Sequence, residues 1–277
     1  MQKPRSNRLR FSGVCSLGEG SITRIVLLIV FFICWIILAA CTPSADICKR
    51  PRDVPEEECN ALRAFYETTG GPDWKDSRGW LEDDAVCAWH GVLCEGRHVT
   101  EIALNYNDIS GTLEQDLSPL TELKQLSLYY NELGGSLPEW FGDMGNLEIL
   151  IMHNNQFDGP IPDAFGRMAS LILIDLDGNN LSGSLPTSLG NLKNLHTVKL
   201  RANKLSGSIP SELGECDSLV ALFLSNNDLS GSVPVSLASL PNLKMFSIRG
   251  NDAISSIPKA LQEMPESGYD LLEWGDE

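Results

Sequence analysis

One spacing constrains this chain more than anything else in it. Leu123, Leu147, Leu171, Leu195, Leu219 and Leu243 recur every 24 residues, and Val99 fills the same slot ahead of them. Each opens a segment close to L-x-x-L-x-L-x-x-N-x-L-x-G-x-I-P. The Asn slot is filled in all seven copies, by Asn107, Asn131, Asn155, Asn179, Asn203, Asn227 and Asn251. The Gly slot holds Gly111, Gly135, Gly159, Gly183, Gly207 and Gly231, then Ser255. The Pro slot holds Glu114, then Pro138, Pro162, Pro186, Pro210, Pro234 and Pro258. A fixed period with one residue type per slot means stacked, similar coils. An amphipathic helical array is excluded, because it needs helical spacing and few prolines.

The slots explain the coil. The end of each L-x-x-L-x-L run alternates, as where Ile174 and Leu176 flank Asp175. That pattern predicts a short strand with its apolar side inward. One coil cannot bury that side alone; stacking makes a continuous Leu core, with parallel strands about 4.8 Å apart. The Asn stands where the chain leaves the strand. Its amide offers donors and an acceptor, so a column of Asn can satisfy buried backbone groups of neighbouring coils. Gly permits a turn with positive φ, and Pro stops a regular helix from running on.

The segment L-S-G-S-L-P from Leu181 to Pro186, with its copies L-S-G-S-I-P and L-S-G-S-V-P, resembles the plant-type class of leucine-rich repeat. The likeness covers about three-fifths of the chain. It implies an α/β solenoid: a right-handed superhelix of seven 24-residue repeats with a concave parallel β-sheet, occupying residues 99–266. Ahead of it, the phrase running through Trp74 and Trp80 to C-A-W-H-G-V-L-C (Cys87 to Cys94) is similar to the N-terminal cap of receptor-like ectodomains and polygalacturonase-inhibitor-like proteins. A cap over residues 56–98 is also required physically, since the first coil otherwise exposes its core edge. Its tryptophans read as cover for the Leu core rather than a ligand box. A helix is expected from Glu56 to Thr69, with acidic residues in its first turn and Gly70-Gly71-Pro72 as its stop.

Ahead of the cap the chain changes character. Residues 1–24 are polar and basic, and Ile25 to Ala40 is almost unbroken apolar sequence. The basic flank predicts that the remainder is exported. Leu38-Ala39-Ala40-Cys41 resembles a bacterial lipobox, which makes Cys41 a lipidation candidate; the alternative is an uncleaved signal anchor. Both tether the solenoid to a membrane through residues 42–55, a proline-containing linker. Only 24 residues precede the apolar segment, so no cytoplasmic signalling domain is expected. Export suits disulfides: Cys87 with Cys94, and Cys48 with Cys59. An oxidising compartment argues against a zinc site built from those four. Cys216 reads as a buried free thiol between coils. Residues 267–277 form an acidic tail, in which Leu271, Leu272 and Trp274 are candidates to cover the last coil.

The net charge is −16, and the first 40 residues carry +4, leaving −20 on the rest. That excludes nucleic acid as a partner, because phosphate binding needs clustered Lys and Arg. No metal, cofactor or catalytic motif emerges. Asp175 and Asp177 read as solvated or salt-bridged strand residues, not as an acid/base pair, so no enzyme is expected. Strand alternation instead sends pairs of residues to the concave side. The informative ones are Tyr129, His153, Asp175, Asp177, Lys199, Arg201, Phe223 and Arg249, rich in types found at protein interfaces. The expected function is a monomeric, membrane-tethered, extracytoplasmic recognition module binding a protein, peptide or glycan there. The alternatives are a structural or adhesive surface protein without a discrete ligand, and a secreted-type enzyme inhibitor.

Overall fold

The computed structural model describes residues 47–264. Strands β1 to β15 alternate between two sheets after the first hairpin. One sheet runs β1 (Val92–Glu95), β2 (His98–Ala103), β4 (Gln125–Ser127), β6 (Ile149–Ile151), β8 (Leu173–Asp175), β10 (Thr197–Lys199), β12 (Ala221–Phe223) and β14 (Met245–Ser247). The other holds β3 (Ser110–Thr112), β5 (Glu132–Ser136), β7 (Gln156–Gly159), β9 (Asn180–Gly183), β11 (Lys204–Ser208), β13 (Asp228–Ser232) and β15 (Ala253–Ser256). All pairings are parallel except β1 with β2.

Register in the first sheet follows the 24-residue period. Ile102, Leu126, Leu150, Ile174, Val198, Leu222 and Phe246 are successive Cα partners, and all are buried. A shift of one residue in any coil would turn this row outward, so burial locks the phase.

The asparagines bind the coils together. Asn179 donates from Nδ2 to the carbonyl of Leu176 in its own coil and of Met152 in the coil before, both at 3.1 Å. Its Oδ1 accepts the Phe157 N–H at 3.1 Å. Asn155, Asn203, Asn227 and Asn251 repeat the pattern, each on the equivalent carbonyls and N–H. One amide therefore satisfies three buried backbone groups that no regular ladder reaches.

The prolines stop helices, as expected. After Pro162 and Pro186 come five-residue 3-10 turns, Asp163–Arg167 and Thr187–Asn191, which bury Phe165 and Leu189. Helical structure in the described residues is confined to 3-10 turns of three to five residues, to α1 (Glu56–Thr68) and to α2 (Lys259–Gln262). The second sheet is an addition to the sequence reading. Its strands contain the repeated Gly slot, where Gly183 sits at φ 75 and ends β9.

The cap closes the first coil. Its helix stops one residue short of the expected end, with Gly70 turning at φ 73. Disulfides join Cys48 to Cys59 and Cys87 to Cys94. Trp74, Trp80 and Trp89 are buried, with Trp80 4.9 Å from each of the other two rings. Glu58, at 2% exposure, brings a carboxylate into this interior; it meets His98 Nδ1 at 2.6 Å and accepts the Val99 N–H at 2.8 Å. Asn107 begins the ladder by exchanging two hydrogen bonds with the backbone of Asp76 in the cap. At the other end the last coil has an open cavity of about 300 Å³ whose lining mixes Phe246, Ile248 and Ile254 with Arg249, Asp252 and Gln262. Cys41 and the apolar segment before it lie outside the described residues, as does the acidic tail; no described helix is long and apolar enough to cross a membrane. Cys216 is a buried free thiol whose Sγ donates to the Leu189 carbonyl.

Replacing Asn179 by Leu leaves the Phe157 N–H without its side-chain acceptor and takes one of two amide donors from each of the Leu176 and Met152 carbonyls, which keep Asn203 and Asn155. It should lower the unfolding free energy by about 1–3 kcal/mol, measured by urea denaturation. Asp, which can accept but not donate, should be no better. A Cys87→Ser/Cys94→Ser double variant should lose about 2–5 kcal/mol, read as a shift of the thermal midpoint of the oxidised protein.

Candidate functional site

Each first-sheet strand ends by passing two residues to the concave side before the chain turns at the ladder Asn. The parallel register stacks these residues into rows. Within the rows, side chains from neighbouring coils join into an aromatic group and a charged group.

It starts with aromatic rings. Tyr129 and His153 stack at 4.7 Å and 9° between planes, and Tyr106 and Tyr130 at 4.6 Å and 11°. The two stacks meet edge to face, Tyr106 on Tyr129 at 5.3 Å and Tyr130 on His153 at 5.2 Å. Such geometry is worth about 0.5–1.5 kcal/mol per pair beyond area burial. Asn154 Nδ2 donates to His153 Nδ1 at 2.8 Å, which suits a neutral ring. Burial lowers the His153 pKa in the same sense, opposed by Asp175 and reinforced by Lys199 and Arg201.

Charges follow. Lys199 Nζ lies 3.1 Å from Asp175 Oδ2, and Arg201 holds Asp177 Oδ2 from Nε at 2.8 Å and from its terminal nitrogen at 2.7 Å. Asp177 Oδ1 also accepts the Arg201 backbone N–H at 2.6 Å. Burial, helped by the neighbouring Asp175, nonetheless pushes the Asp177 carboxyl up to about 6 against the pull of Arg201. The Arg201 guanidinium then lies 4.8 Å over the Phe223 ring. An aromatic group and a charged group that ends on Phe223 thus follow one another along six strands, β2 to β12.

The structure places the sequence candidates unequally. Tyr129, His153, Asp175, Asp177, Lys199 and Arg201 come together. Phe223 was expected as an exposed aromatic anchor; it is instead 1% exposed, with Arg201 above its ring. A residue in a row has neighbours on both sides, and the long Arg201 side chain reaches over the adjacent coil. Arg249 is exposed and separated from the cluster by Ser225 and Ser247, whose hydroxyls bond each other.

Sequence reasoning missed Tyr106 and Tyr130, which are 53% and 46% exposed. Both stand directly before a ladder Asn, where the chain is left-handed in every described coil: φ is 54 and 52 at the tyrosines, and 54, 64, 53, 58 and 73 at Asn154, Gly178, Ala202, Asn226 and Gly250. Gly and Asn tolerate that region, whereas a bulky side chain there costs about 1–2 kcal/mol. Two tyrosines in a slot that favours Gly or Asn, contributing nothing to the core, were the legible signal.

The profile of the family described as Leucine rich repeat matches residues 121–181, and a second of that description matches 194–216 and 218–240. The crystal structure of a pollen receptor kinase 3 superposes with a TM-score of 0.64 at 31% identity, over 72% of this chain and 96% of that one. The Arabidopsis receptor kinase HAESA, solved with the peptide hormone IDA and the co-receptor SERK1, gives 0.68 at 31% identity, over 74% of this chain and 35% of that one. Phytosulfokine receptor 2 of Arabidopsis thaliana is 33% identical over 107 residues, 37% of this chain and 9% of that receptor. The chain belongs to the leucine-rich repeat family, in the type found in plant receptor ectodomains. It spans only a minor part of the two longer receptors.

Tyr130→Asn puts into the left-handed slot a residue that already occupies it at positions 154 and 226. Relief of strain should offset the lost stacking, so the urea midpoint should stay within about 0.5 kcal/mol of wild type. A loss above about 2 kcal/mol would show that Tyr130 serves the fold.

Proposed function

We propose that this protein is an extracytoplasmic recognition module, held to a membrane by its N-terminal segment, that binds a peptide or protein segment on its concave face. The observation that carries this reading is the row of side chains in register from Tyr106 and Tyr130 through Tyr129, His153, Asp177 and Arg201. At about 4.8 Å per strand, five strands span roughly 20 Å, which suits an extended segment or part of a standard interface. Tyr and Arg are the residue types that most often carry binding energy. The two cap disulfides support an oxidising, extracytoplasmic setting. So does the likeness to ectodomains, of which HAESA was solved with a peptide hormone. The chemistry of the face argues against catalysis: its carboxylates are committed to Lys199 and Arg201.

The rings are already stacked before any ligand arrives. Little side-chain entropy remains to be lost on binding, a preorganisation that favours affinity. Lys199 and Arg201 are each paired within the row, so a partner meets dipoles and ring edges more than net charge. Specificity then comes from shape and hydrogen bonding.

The test is selection of binders from a random displayed peptide library against the exported, disulfide-bonded protein. Peptides selected on wild type should lose at least about tenfold in affinity with Tyr129→Ala or Tyr130→Asn, about 1.4 kcal/mol or more. Ser206→Arg, on the second sheet, should leave affinity unchanged. Selected peptides that ignore the tyrosine variants and respond to Ser206→Arg would place recognition on the other sheet.

A further inference from the structure

We propose that Asn180 is an attachment site for an N-linked glycan; this rests on the export reading above. Asn180-Leu181-Ser182 is the one N-x-Ser/Thr triplet in the chain, the pattern that oligosaccharide transfer requires. A triplet alone is weak, but the structure separates this Asn from the other asparagines of the repeats. Asn179, one residue earlier, is buried in the ladder and its amide is committed to three backbone groups. Asn180 begins β9 as an exposed side chain, and its amide makes no hydrogen bond among the described residues. The equivalent places in the adjoining coils hold Gln156 and Lys204, so Ser206 lacks an acceptor Asn two residues before it.

In the reaction, Asn180 Nδ2 forms a C–N bond to the anomeric carbon of a lipid-pyrophosphate-linked oligosaccharide. The bond from that carbon to the pyrophosphate oxygen breaks, the lipid pyrophosphate leaves, and the amide gives up one proton. The fold also dictates when this happens. Folded β9 is paired on both sides, with Asn180 opposite Asp158 and Ser182 opposite Lys204, and Leu181 is fully buried between them. The triplet is therefore open to an enzyme only in the unfolded, entering chain. Once attached, the glycan stands on the second sheet and makes that sheet a solvent face. Recognition is left to the concave sheet.

The experiment expresses the full chain in a secreting eukaryotic cell and follows intact mass and gel mobility with and without peptide N-glycosidase. Expected is one mobility shift in wild type and in Ser182→Thr, removed by the glycosidase and absent from both Asn180→Gln and Ser182→Ala. Two point variants with the same loss guard against a folding artefact, since Ser182→Ala keeps the Asn. Fully disulfide-bonded, exported protein with unmodified Asn180 would overturn the glycan site and leave the export reading standing. A shift that persists in both variants would overturn it equally. Protein recovered unshifted with Cys48, Cys59, Cys87 and Cys94 as free thiols would overturn both readings.

Discussion

Everything in this solenoid depends on one side-chain amide per coil meeting the backbone of two coils. Where the chain leaves the first sheet it must turn inward, and the turn strands carbonyls and an N–H in an apolar interior. Unmet, such groups cost about 1–3 kcal/mol each. Asn has the donors and acceptor to meet them at once, and its reach is short, so the turn holds one geometry. That explains why the 24-residue period does not slip. An insertion between strand and Asn would break the bond to its own coil and to its neighbour together.

The same constraint creates the functional face. Because each Asn must point inward, the residue ahead of it is held in the left-handed region and the one before that is presented on the concave side. Most coils put Gly or Asn in the left-handed slot. The first two put tyrosine there, accepting local strain that the ladder over-determines. Strain of that kind, exposed and outside the core, is how a repetitive scaffold becomes locally specific. The electrostatics obey a similar logic: Asp177 and Arg201 stand in successive coils, so the pairing that neutralises them also aligns Arg201 over Phe223.

A stacked structure has two ends, and the described residues treat them differently. The N-terminal end is sealed by tryptophans, two disulfides and a carboxylate that answers a buried N–H. The C-terminal end keeps an open cavity of mixed lining, with Phe246 and Ile248 beside Arg249 and Asp252. In the last coil Ser255 replaces Gly and Ala253 the bulky residue, so inward cover thins where the repeat pattern itself decays.

Periodicity alone determined the parallel first sheet, its inward row, the Asn column and the proline stops, because each depends on residues near in sequence and repeated identically. The cap was legible through its cysteines and tryptophans, by resemblance as much as by physics. The second sheet was not, since its pairing is made wholly between coils and the L-S-G-S segments look like turns when read one at a time. Side-chain neighbours in the rows were also beyond reach. Strand alternation identified which residues face the concave side, but the burial of Phe223 under Arg201 and the joining of Tyr106 and Tyr130 to the Tyr129–His153 stack are contacts 22 to 24 residues apart. Their geometry is decided by the spacing of neighbouring coils and the length of the side chains between them, and only the tertiary structure contains that.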